Sequence, residues 1–97
     1  MSAARTTAQI LSERLEITLA LGEANAAQHR AQAEVGGASI ELMGCEERGE
    51  TGALAEAQAR DAAAKARLAA AEARVEALQT RLAALDTELA GAGADAR

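Results

Sequence analysis

From Leu54 to Leu89 the apolar residues follow an unbroken seven-residue repeat. Its first position (a) falls on Leu54, Asp61, Leu68, Val75, Leu82 and Leu89, and its fourth (d) on Ala57, Ala64, Ala71, Leu78 and Leu85. Five heptads in register predict one long helix with an apolar seam made to meet another helix. Thr51 offers an N-cap and Gly91-Ala92-Gly93 a stop, so the helix is expected over about 51–90. It would be about 60 Å long at 1.5 Å per residue. Residues 91–97 read as a flexible tail.

The N-terminal half is less regular. Residues 1–5 read as a flexible arm, and Thr6-Thr7-Ala8-Gln9 as a capping box that starts a first helix, about 6–34, ended by Gly36-Gly37. One stretch disputes this, because Leu15-Glu16-Ile17-Thr18-Leu19-Ala20-Leu21 alternates as a half-buried strand would. The Ala/Gln/Glu-rich sequence that follows, free of turn signals until Gly36, favours helix. Residues 35–52 contain five Gly and four Glu and are expected to form a connector, with Ser39–Met43 a short strand or a single helical turn.

Two helices and a connector predict an all-α fold, an antiparallel helical hairpin with a long Ala-rich coiled-coil arm, oligomeric in solution. The rival is a parallel homodimer of the second helix, whose flanking charges give two favourable pairs, one neutral and one repulsive. The hairpin follows from phasing the first helix on Ile10, Arg14, Ile17, Leu21, Ala24, Gln28, Ala31 and Val35. Ile10 then meets Leu82, Ile17 meets Val75, and Val35 meets Ala57, with large residues opposing small ones. Glu13 lies by Arg81, Glu34 by Arg60, and Asp61 shares a polar layer with Gln28. Leu54, Leu68, Val75, Leu78, Leu82, Leu85 and Leu89 carry the seam. Leu11, Leu15 and Leu19 are left on a second stripe, which is expected to be an association surface for another copy or another protein.

Composition narrows the classes of work available. The chain has 97 residues, no Trp, Tyr, Phe or Pro, and a formal net charge of −5. An Ala-rich chain of this length is rich in helix propensity and poor in core. An acidic chain without aromatic side chains lacks both the basic footprint and the stacking platforms of a nucleic-acid binder. No apolar run reaches the length of a membrane span, and a single Cys suits a reducing, cytoplasmic setting.

No catalytic, cofactor or metal constellation is visible. His29, the only histidine, reads as a solvated helix residue. Cys45, set between Gly44 and Glu46-Glu47, reads as a loop cysteine rather than a nucleophile. The Gly pairs fit neither GxxxxGK[ST] nor GxGxxG. Arg60, Arg67, Arg74 and Arg81 recur every seven residues beside the seam, where pairing between helices explains them better than a phosphate track. No small-molecule substrate is implied.

Glu41, Glu46, Glu47 and Glu50 make the connector acidic and would form an acidic tip on the hairpin. This layout is similar to that of transcription factors that insert a coiled-coil finger into the secondary channel of RNA polymerase. The likeness is one of architecture, since the sequence carries neither their acidic tip motif nor their globular or zinc-binding module. The expected function is non-enzymatic: a coiled-coil structural or assembly protein, self-associating or serving as an adaptor or scaffold subunit. The alternative is a regulatory module that presents the acidic tip to a partner machine.

Overall fold

The computed structural model describes residues 5–95, which form two antiparallel α-helices joined by a tight turn. α1 spans Thr7–Arg48 and α2 spans Thr51–Asp95, side by side in a body with extents of 71 × 24 × 14 Å. The all-α helical hairpin is therefore the fold. α1 starts at the expected capping box: the Gln9 amide donates to the Thr6 hydroxyl at 3.1 Å, and the Thr6 amide donates to Gln9 Oε1 at 2.8 Å.

The connector expected over residues 35–52 is not a loop. α1 passes through Gly36 and Gly37 and ends only at Arg48. Each Gly costs a helix about 1 kcal/mol relative to Ala. The helix persists because its inward face continues beyond them. Val35, Ala38 and Leu42 are half-buried and Cys45 is buried, in heptad phase with Ala24 and Ala31. Covering those side chains offsets the loss, at roughly 25 cal/mol per Å² of apolar surface removed from water. Cys45 is consequently a core residue, 4% exposed, and not a loop cysteine.

Reversal takes place at Gly49, whose φ of 64° and ψ of 31° lie in the left-handed region. Its amide donates to the Glu46 carbonyl at 3.3 Å, and the Glu50 amide donates to the Cys45 carbonyl at 3.1 Å. These two bonds form a Schellman cap. The expected N-cap also moves by one residue. The Leu54 amide donates to the Glu50 carbonyl at 3.0 Å, so Glu50 holds the cap position and Thr51 is the first helical residue. The Glu50 carboxylate sits at the positive end of α2 and pairs with Arg48 at the negative end of α1.

Both expected termini are shorter than foreseen. α2 continues through Gly91 and Gly93 to Asp95, and Leu89 and Ala92 extend the covered face there. Residues 96–97 of the expected tail, and 1–4 of the expected arm, lie outside the described residues. Arg5, placed in that arm, is held by two carboxylates. Residues 15–21 are helical. Their alternation serves opposite faces of one helix: Ile17 and Leu21 are partly covered by α2, whereas Leu15 and Leu19 point outward.

The phase of both helices is as expected, but their register is not. On α2 every a and d position from Leu54 to Leu89 is buried or half-buried. Glu34, however, meets Arg67 at 2.9 Å rather than Arg60, a shift of one heptad. Arg60 instead pairs with Glu41. Asp61 meets Ser39 rather than Gln28. A heptad seam looks alike after a slip of seven residues, and the turn at Gly49 removes the ambiguity. Counting back from it sets Leu42 level with Ala57, Val35 with Ala64 and Ile17 with Leu82.

Candidate interaction surfaces

The inner seam is a thin core. Its buried apolar side chains are Ile10, Ala24, Ala31, Cys45, Ala57, Ala64, Val75 and Leu85, most of them small. Small residues near the turn allow the helix backbones to approach closely, and the bulk comes from the opposite end. Leu54, Leu68, Leu78, Leu82 and Leu89 remain half-exposed at their edges because only one helix covers them.

Asp61 is the single buried charged residue among those described, 7% exposed at an a position. The Ser39 hydroxyl donates to its Oδ1 at 2.9 Å, and Lys65 Nζ lies 2.8 Å from Oδ2. Lys65 and then Ser39 hold the carboxyl below its ordinary range. The layer is polar, as expected, with a different partner.

Three of the four arginines in the heptad row are spent on interhelical pairs. Arg60 meets Glu41, Arg67 meets Glu34, and Arg81 Nη2 lies 2.5 Å from Glu13 Oε2. The last pair is the one expected. On the opposite edge Arg14 Nε donates to Asp86 Oδ1 at 2.8 Å. The observed register also sets Glu13 and Glu88 on the same edge at the open end of the hairpin, a like-charge conflict. Arg5 resolves it: its Nε and Nη2 each donate to Glu88 at 2.7 Å, and its Nη1 donates to Glu13 at 2.5 Å. Arg5 holds both carboxyls below the ordinary range, with Arg81 the second cause at Glu13. Each exposed pair, screened by solvent, contributes little by itself. Together they favour the antiparallel direction, within the register that the turn at Gly49 sets.

The acidic tip is smaller than expected. Glu41, Glu46 and Glu47 lie on the last two turns of α1, and only Gly49 and Glu50 form the turn. Glu41 is taken by Arg60 and Glu50 by Arg48. Among the described residues no group of three His, Cys, Asp or Glu is placed to hold a metal ion, and His29 is exposed. No helix of the described residues is long and apolar enough to cross a membrane.

The outer face of α1 is the largest apolar feature left uncovered. Leu11, Leu15 and Leu19 are 49%, 62% and 64% exposed, and two residues not foreseen join them: Ile40 at 72% and Met43 at 57%. They were missed because the connector was expected to hold them. The sequence did carry a signal: Ile40 follows Leu19 by three heptads and Met43 follows Leu15 by four. Between these ends the same face carries Gly22, Ala26, His29, Ala33 and Gly36, all exposed. Comparison with known protein families, curated proteins and solved structures finds no match to this chain.

Proposed function

We propose that this is a non-enzymatic coiled-coil assembly protein, which works by packing the outer face of α1 against another helix, of its own kind or of a larger complex. The observation that carries the reading is the outward row of Leu15, Leu19, Ile40 and Met43 with Leu11 at its edge, each about half exposed or more. Isolated surface leucines are ordinary, but a row along one helix face marks an association surface. The single Cys45 suits a reducing compartment, in keeping with a cytoplasmic protein. The shape supports an association role over a catalytic one, since a plank of two helices 14 Å thick offers little depth in which to enclose a substrate. The acidic tip is the weaker surface, because Glu41 and Glu50 already have arginine partners.

Substitution of Leu15 and Leu19 by Gln tests the reading. The native chain is expected to scatter light as more than its monomer mass of 9.9 kDa, alone or with its partner. The double variant should keep its far-UV helical signal and lose the association. Refractive-index detection is needed, because the chain has no Trp or Tyr. Association unchanged in the variant would contradict the reading.

A further inference from the structure

We infer that the occupant of the outer face of α1 is a second copy of this chain, docked antiparallel about a twofold axis near residues 27 and 28. The inference rests on the proposed association face and adds its partner and register. The outward residues form a second heptad row: Ser12, Leu15, Leu19, Gly22, Ala26, His29, Ala33, Gly36, Ile40 and Met43. The row keeps its bulky apolar residues toward both ends, Leu15 and Leu19 at one and Ile40 and Met43 at the other, and, His29 apart, small ones between them. Reversal of such a row places it on itself, which is the requirement of a twofold interface. Leu15 falls level with Ile40 of the second copy, Leu19 with Gly36, Gly22 with Ala33, and Ala26 with His29. Gly22 and Ala33 to either side of the crossing allow close approach, His29 lies over Ala26 of the second copy, and larger residues fill the gap as straight helices diverge.

Charge and the apolar match together select this register. Glu23 and Arg30 flank the row on the same edge, and among the described residues neither has an ion-pair partner within the hairpin. In the stated alignment Glu23 of each copy faces Arg30 of the other, twice by symmetry. A slip of one heptad in one direction sets Arg30 against Arg30; a slip in the other gains two Glu16–Arg30 pairs but sets Glu23 against Glu23 and moves Leu15 from Ile40 to Ala33. A parallel arrangement brings neither residue to an opposite charge. On the other edge Asn25 faces Gln32 and Thr18 faces Ser39, neutral throughout. The overlap from Ser12 to Met43 is about 47 Å long at 1.5 Å per residue. It covers four large apolar side chains from each copy and yields a flat four-helix array with both α1 helices at its centre.

Charge exchange tests this with the full-length chain. Sedimentation equilibrium of the native protein should report a dimer of twice 9.9 kDa. Glu23→Arg alone, or Arg30→Glu alone, turns two attractive pairs into two repulsive ones and should weaken the dimer by roughly tenfold or more. The two single variants mixed should form a heterodimer more tightly than either forms a homodimer, and the double exchange in one chain should restore native affinity. Unchanged helical signal at 222 nm in every variant assigns the losses to the interface. A native monomer at hundreds of micromolar overturns the second-copy inference and leaves the face to a different protein. An oligomer lost in the Leu15/Leu19 double Gln variant but indifferent to charge exchange overturns this register and keeps the association face. An oligomer indifferent to both sets overturns both readings. An open-ended polymer, as the leucine row would give on the alanine face of a neighbouring α2, overturns the closed dimer.

Discussion

Two glycines of α1 and its turn show how little a residue type says without its surroundings. Gly37 lies within the helix, with nothing within 4 Å of where a Cβ would stand, whereas Gly49 holds φ at 64°. Gly37→Ala should therefore stabilise the hairpin by up to about 1 kcal/mol through helix propensity. Gly49→Ala should destabilise it by about 1–2 kcal/mol, because a Cβ strains the left-handed conformation. Urea unfolding followed at 222 nm measures both, and a destabilising Gly37→Ala would place a break in α1 where none is described. The Gly36-Gly37 pair reads as a helix stop in the sequence because propensity alone is local. What overrides it is the covered face formed by Val35, Ala38, Leu42 and Cys45, a tertiary effect that a Gly-rich window conceals. The strand-like alternation of Leu15, Ile17, Leu19 and Leu21 misleads for a related reason. Two apolar faces on one helix, offset by two residues, mimic the period of a strand.

At the scale of the helices, phase was legible and register was not. Periodicity identifies the inward positions of both helices, from Ile10 to Val35 and from Leu54 to Leu89, but a seven-residue slip preserves all of them. The turn at Gly49 decides, and it leaves a like-charge conflict between Glu13 and Glu88 for Arg5 and Arg81 to relieve. This cluster carries a pH signature. Both carboxyls titrate below their ordinary value of 4.5 in the folded chain, Glu13 through Arg5 and then Arg81, Glu88 through Arg5. Their contribution to stability is thus complete above pH 4.5 and is lost as the pH falls from there through the lowered folded values. Glu13→Gln should reduce melting temperature at pH 7 and reduce the further loss between pH 5 and pH 3. Thermal melts of both proteins across that range check the sign. Equal pH slopes in the two would show that Glu13 adds nothing through Arg5 and Arg81.

At the scale of the molecule, two helices can cover only one face of each other, so an outer face is always left. On α2 that face is mostly alanine and charge; on α1 it carries Leu15, Leu19, Ile40 and Met43. The N-terminal part of this row was legible as the Leu11, Leu15 and Leu19 stripe. Its C-terminal part was hidden by the expected connector, although it continues the same heptad. The association face, the second-copy register and the reduced acidic tip therefore all depend on α1 being one uninterrupted helix that reverses only at Gly49. A distance between spin labels at positions 18 and 46, in a Cys45→Ala background diluted with unlabelled chain, tests that directly. A continuous helix predicts a narrow distribution centred near about 42 Å, from a rise of 1.5 Å per residue. A distribution centred well below about 30 Å would mean that the chain turns back at Gly36-Gly37, and would contradict the account.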